Sequence, residues 1–230
     1  MVAKRRKGEV AVTLTREAIV LAAMDILRED GLKGLTMRRI AAACGVQGPT
    51  LYWHFRDKDE LLLVLVGNAM DQIELGDPEQ EWTERLATMA RSLRRVLNEL
   101  PGLGDLALSP AVLSESTARV VDTWARIFLD QGFDMESATR AYFTINRFVF
   151  GFAHYEAVLP RIPPEQQTDA QRQAQADFVA SLDPTLFVRY PSLVGLALFD
   201  EPSRDPSFEY GLMILLDGFR AARARLHPEG

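Results

Sequence analysis

One cysteine in 230 residues, Cys44, cannot build a disulfide framework, and that scarcity points to a reducing, cytoplasmic setting. The three histidines, His54, His154 and His227, lie far apart, and none follows a glutamate at the Glu-x-x-His spacing of a di-iron bundle. Zinc-ligand spacings are missing, as are a G-x-x-x-x-G-K phosphate loop and a G-x-S-x-G nucleophile elbow. Gly102-Leu103-Gly104-Asp105-Leu106-Ala107 spells G-x-G-x-x-A, but it follows a helical segment rather than a strand, which argues against a dinucleotide site. Long apolar runs are lacking too. Ala18 to Met24 stops at Asp25, too short to span a bilayer, and the basic start Lys4-Arg5-Arg6-Lys7 leads into Gly8 and Glu9, unlike a signal peptide. The expectation is no metal, no cofactor, no membrane and no familiar enzyme site.

Acidic residues are scarce only at the start of the chain. Residues 1–58 hold eleven basic against six acidic side chains, a net of +5, while the remainder carries −11. A basic head on an acidic body lets the head alone meet a polyanion.

Helical periodicity runs from end to end, without internal repeats or alternating strands. Ile19, Ala22, Ala23, Ile26 and Leu27 make one apolar face, with Thr15 as N-cap and Gly31 as terminator. A second helix is expected from Thr36 to about Ala43, and a short third one from Gly48-Pro49 after a Gly45-Val46 turn. The fourth spans about Lys58 to Leu75, with Leu62, Leu65, Val66, Ala69 and Ile73 on one face. The fifth is marked by Trp82, Leu86, Met89, Ala90, Leu93, Leu97 and Leu100, and a further one by Val120, Trp124, Ile127 and Phe128 before Gly132. An aromatic-rich helix over 135–159 is broken by Pro160, Pro163 and Pro164. A helix over 170–182, an irregular patch with Pro184, Pro191 and Pro202, and a last helix over 206–226 complete an all-α fold.

Residues 36–55, TMRRIAAACGVQGPTLYWHF, meet the requirements of a helix-turn-helix. Ala41 is small where two helices cross, Gly45 supplies a cheap positive φ, and Ile40, Val46, Leu51 and Phe55 supply apolar contacts. The short turn is what places a second helix in a major groove. Cys44 is read as an apolar filler beside that turn.

Pro49-Thr50-Leu51-Tyr52-Trp53-His54-Phe55, followed by Lys58 and Asp59-Glu60-Leu61-Leu62, resembles the recognition segment and fourth helix of the TetR family. The likeness covers residues 15–75 most strongly. It continues through Trp82, Ser109-Pro110 and Gln131-Gly132-Phe133, where it is similar to the tetracycline-repressor C-terminal subfamily. The resemblance implies a DNA-binding head over 1–58 and a helical body over 59–230 for effector binding and dimerisation. It also implies roles. Thr36 opens the motif; Arg38 reaches bases or phosphate, and Arg39 the backbone. Gly48, Pro49 and Thr50 approach bases, Pro49 through a thymine methyl, while Tyr52, Trp53, His54 and Lys58 hold phosphates. Tyr52 and Trp53 could instead pack on the domain surface, and His54 could be a helix-end residue without a partner. Gly48 departs from the subfamily's base-reading glutamine, so the operator should differ. Arg5 and Arg6 fit either a minor-groove arm or a solvated tail.

For the body, the resemblance implies a homodimer built from helices over 135–159 and 206–226. Gly151, Gly211 and Gly218 each cost up to about 1 kcal/mol inside a helix, and close approach across the dimer interface or within one subunit would account for them. The density of aromatics suits a largely apolar effector cavity with Trp82, Met89, Leu93, Tyr142 and Phe150 as lining and Asn146 or His154 as polar handles; ordinary core is the other reading. Subfamily members that bind a tetracycline–magnesium complex use histidines, an asparagine and a threonine, where this chain has Glu74, Met89, Leu93, Asp105 and Leu108. A different effector is implied. The expected function is a homodimeric repressor, released from a palindromic double-stranded operator by a small, largely apolar molecule. A non-specific architectural DNA binder and an all-α enzyme with an unfamiliar site remain as alternatives at this point.

Overall fold

Single capping residues set where the helices begin. In a computed structural model of the protein, described for residues 14–107, 114–158, 168–181, 183–191 and 204–226, every regular element among those residues is a helix. They are α1 (Arg16–Gly34), α2 (Met37–Ala43), α3 (Gly48–Leu51), α4 (Lys58–Asp71), α5 (Trp82–Glu99) and α6 (Leu103–Ala107). Then follow α7 (Glu115–Asp130), α8 (Met135–Val158), α9 (Asp169–Ser181), α10 (Pro184–Arg189) and α11 (Arg204–Leu226). The all-α expectation holds. Arg5, Arg6, Leu108, Ser109, Pro110, Pro160, Pro163, Pro164, Pro202 and His227 lie outside the described residues. No described helix is long and apolar enough to cross a membrane.

Thr15, Thr36, Asp57 and Ser114 each accept a backbone N–H from the first turn of the helix that follows. At Gly31 the backbone turns to φ 63° and ψ −166°, so the regular part of α1 ends there and a short turn runs to Gly34. Two expectations need adjusting. The fourth helix stops at Asp71, short of Leu75, because side chains of α5 capture the chain beyond it. Ser92 Oγ accepts the Glu74 N–H at 2.9 Å, Arg95 donates to the Gln72 carbonyl at 3.2 Å and Arg85 to the Leu75 carbonyl at 3.0 Å. Of its expected face, Leu65, Val66, Ala69 and Ile73 are buried, while Leu61 rather than Leu62 is enclosed at its start. The short helices α6 and α10 were not expected. Five- and six-residue helices carry no readable period, and α10 falls in the patch taken as irregular, where Asp183 accepts the Thr185 N–H at 2.9 Å.

Contacts divide the chain into two compact units, Met1–Tyr142 and Phe143–Gly230, with α8 contributing to both. In the first, α2 packs on α1 and α3, and α4 packs on α1, α6 and α7. Its core includes Ile19, Leu27, Leu35, Ile40, Leu51, Phe55, Leu61 and Leu65, all fully buried. Farther along, Trp82, Phe128 and Phe133 form an aromatic cluster. The Phe128 ring lies edge-on to Trp82 at 6.2 Å and to Phe133 at 5.6 Å. In the second unit α8 pairs with α11: Phe148 stacks on Phe208 at 5.2 Å, and Phe152 meets Phe208 edge-on at 5.3 Å.

Candidate nucleic-acid interface

The reading face is built by burying two residues. Leu51 and Phe55, one helical turn apart, are fully buried, which turns Pro49, Tyr52 and Trp53 outward. Trp53 is 88% exposed and Tyr52 55% exposed, large apolar rings held in solvent at the end of α3. Thr50 and His54 are half-buried. The chain reaches this helix through a glycine-terminated ending of α2: Val46 N–H bonds the Ala41 carbonyl at 3.0 Å and Gly45 N–H the Ala42 carbonyl at 3.1 Å. Gly45 takes φ 68°, as the turn requires. Ala41 is 2% exposed at the helix crossing. Cys44 caps α2, half-buried, and burial raises its thiol pKa, in keeping with a filler.

The other expected contacts are placed as follows. Thr36 is exposed, but its hydroxyl already accepts the Arg39 N–H at 3.2 Å as the α2 cap. Arg38 is exposed and makes no ion pair among the described residues. Arg39 pairs with Asp30 and lies 3.9 Å from Glu29, so it is tied to the acidic end of α1. Gly48 opens α3 with nothing within 4 Å of where a Cβ would stand. Lys58 opens α4, half-buried.

Two residues outside the predicted set anchor this face. Arg16 Nη1 donates to the His54 carbonyl at 2.9 Å, its Nη2 to Glu60 Oε1 at 2.7 Å, and its guanidinium lies 4.2 Å from the centre of the Phe55 ring. Glu60 Oε2 in turn accepts the Arg56 N–H at 2.8 Å. That backbone bond, with Arg16, holds the Glu60 carboxyl below the usual carboxylate range, while the Glu60 N–H and then Arg56 do the same for Asp57. The fold prefers both groups ionised. Their contribution is therefore complete above the ordinary carboxylate pKa values and is lost as the pH falls through the depressed folded ones. Unfolding curves recorded from pH 6 to pH 3 should show stability falling with acid, and less steeply in Glu60→Gln; parallel curves for the two proteins would count against Glu60 as a contributor.

The body residues fall in two places. Met89 and Leu93 are buried in α5, and Trp82 joins the aromatic cluster described above. Tyr142 is half-buried, its ring 6.4 Å from that of Trp124 and its hydroxyl pKa raised by burial. Trp124 is fully buried, and its indole Nε1 has no hydrogen-bond partner among the described residues, a feature that helix periodicity could not reveal. Asn146 and Phe150 are half-buried and His154 exposed, all three in the second unit. A groove of about 550 Å³ beside α4 and α7 is lined by Asp71, Glu115, Ser116, Ala118, Arg119 and Asp122, with Arg119 bonded to Asp71 at 2.7 Å. Its charged lining is unlike an apolar cavity. No group of three or more His, Cys, Asp or Glu side chains is placed to hold a metal among the described residues.

Of the three helix glycines, Gly211 faces the Phe148 ring of its own chain: a Cβ there would lie 2.6 Å from Cε2. Gly151 and Gly218 are exposed, with nothing within 4 Å of their Cβ positions. Near them Tyr155, Val158, Tyr210, Met213 and Ile214 are all about half exposed or more.

Comparison with known proteins converges on this arrangement. Residues 19–65 match the family described as bacterial regulatory proteins, tetR family, and residues 75–223 the tetracyclin repressor-like C-terminal domain. The tetracycline repressor protein class A from transposon 1721 of Escherichia coli is 32% identical over 219 residues, 91% of this chain and 92% of its own. The class C repressor of Escherichia coli is 30% identical, covering 91% and 92%. The crystal structure of apo ActR from Streptomyces coelicolor superposes with a TM-score of 0.73 at 26% identity, covering 92% of this chain and 97% of that one. ActR has also been solved with actinorhodin. The chain belongs to the TetR family of helix-turn-helix, DNA-binding transcriptional regulators.

Proposed function

We propose that the protein is a homodimeric repressor that binds a palindromic operator and leaves it when a small, largely apolar molecule occupies the body. The observation that carries the DNA part is the outward set Pro49, Tyr52 and Trp53, with half-buried Thr50 among them, presented on the buried pair Leu51 and Phe55. Residues 1–58 serve as the reading head and 59–230 as the effector and dimer body, in a cytoplasmic protein. Gly48 offers no side-chain donor, so base discrimination falls to Arg38, Pro49 and Thr50, with Tyr52, Trp53, His54 and Lys58 on phosphates.

The dimer is supported by the apolar surface that α8 and α11 leave exposed around Gly151 and Gly218. Two heads so joined read half-sites about 34–36 Å apart. The effector reading is supported by relatives named for tetracycline and by ActR, which has been solved with actinorhodin. Met89 and Leu93 offer this chain's effector apolar contact in place of polar ligands, which argues against a tetracycline–magnesium complex. The Nε1 of Trp124, which finds no hydrogen-bond partner among the described residues, is the donor that would orient it. Effector release follows from linkage: the molecule must bind the operator-incompatible state more tightly than the operator-bound one.

Selection of bound sites from a random DNA pool at a stated near-physiological salt tests the reading. A palindromic consensus is expected, with enrichment lost in Thr50→Ala. Weak, salt-sensitive binding without a consensus would replace it by an architectural role.

A further inference from the structure

We propose that Arg16 is a positioning residue for DNA reading: its guanidinium fork fixes the end of the recognition segment against the start of α4 and so sets the angle at which Thr50, Tyr52 and Trp53 are offered. The inference rests on the DNA-reading assignment above. Arg16 precedes both the helix-turn-helix at 36–55 and the matched family segment at 19–65.

The case is geometric. After Leu51 the recognition segment leaves regular helix, and Tyr52, Trp53 and His54 are held by turn-type bonds of 3.3, 3.3 and 2.9 Å to the residues three before them. A one-turn helix followed by such a turn has few bonds of its own to fix its direction. Arg16 supplies an external fix. One Nη takes the His54 carbonyl, the other takes Glu60, and the guanidinium plane covers Phe55, the second of the two buried anchors. Glu60 closes the loop through the Arg56 N–H and, as the third residue of α4, has its own N–H held by Asp57 at 2.8 Å. A cation at the carbonyl end of a short helix is also favourably placed. With both terminal nitrogens bonded within the protein, Arg16 is unlike a free phosphate-binding arginine. Lysine cannot replace it, since one ammonium does not make the planar fork.

The test compares the parent protein with R16Q, R16K and E60A on two duplexes, one carrying the palindrome that the parent selects from a random pool and one a scrambled sequence of equal length. Fluorescence anisotropy at several salt concentrations gives affinity, preference and salt slope, and circular dichroism shows that each variant is folded. Preference for the palindrome is expected to drop tenfold or more in R16Q, R16K and E60A alike. The slope of log affinity against log salt should change by much less than the roughly 0.9 that one lost phosphate contact produces. R16Q/E60A should be little worse than either single variant, since both break one unit. If R16Q does not fold, R16K and E60A carry the comparison. R16K with the parent's preference, a slope reduced by about one, or E60A that discriminates normally would each overturn the role of Arg16. A parent protein that selects no sequence would instead overturn the DNA-reading assignment, and the inference with it.

Discussion

Leu51→Ala is expected to abolish sequence-selective DNA binding and to lower stability by about 2–5 kcal/mol, the range for truncating a buried leucine. Leu51 is the last residue of the four-residue α3 and has no exposed surface. A single helical turn has no stability of its own in water, because nucleation fixes several residues for one hydrogen bond. The helix therefore exists where packing holds it, and Leu51 and Phe55 are what hold it. Thermal unfolding beside site selection separates the outcomes. A variant with the parent's midpoint and the parent's consensus would show that something other than Leu51 orders the reading face.

Gly102→Ala should produce the second large effect, in the turn that packs on the end of α1. Gly102 takes φ 87° in the turn after α5, and a Cβ there would stand 2.8 Å from Leu32 Cβ and 3.3 Å from the Leu32 nitrogen. Facing it is Gly31, at φ 63°, whose own Cβ position lies 3.3 Å from the Pro101 carbonyl oxygen. Two left-handed glycines thus lie where the end of α1 meets the α5–α6 turn, with no room for a methyl at Gly102 and a tight fit at Gly31. Left-handed strain of about 1–2 kcal/mol and overpacking of about 1–3 kcal/mol add to roughly 2–5 kcal/mol. For a chain of this length that lowers the melting midpoint by on the order of 4–20 °C. Gly48→Ala is the control: with open space at its Cβ position and no positive φ, it should melt within about a degree or two of the parent, as a helix-opening alanine would. Equal midpoints for Gly102→Ala and the parent would mean that the turn relaxes and the contact is soft.

Features that depend on neighbours in sequence were legible. Thr15 and Thr36 announce helix starts, since a hydroxyl before an apolar period has one obvious acceptor role. Gly45 announces the turn, since few residues tolerate its φ. The recognition segment was legible because Pro49 to Phe55 resembles that of the family, and the expected apolar contacts Leu51 and Phe55 are buried. Features made by residues brought from afar were not. Arg16 counts only as one more positive charge until His54 and Glu60 are found beside it, 38 and 44 residues on. The ion pair that Arg39 makes with Asp30 of α1 is likewise invisible in the sequence. The period of α7 marks Trp124 as inward-facing, but whether its N–H finds an acceptor depends on every element around it. Gly211 was open to an interface reading or to one within the subunit, and the Phe148 ring of the same chain fills the space beside it.

The chain has three tryptophans, and the fold distributes them unequally: Trp53 stands in solvent on the recognition segment, while Trp82 and Trp124 are enclosed in the other half of the same unit. The molecule therefore carries two kinds of intrinsic fluorophore. Iodide in solution reaches the indole of Trp53 and not the enclosed pair, so the red, quenchable part of the emission reports on the DNA-facing end. The blue, protected part reports on the interior, Trp124 included. Events at the two ends can be followed in one unlabelled sample.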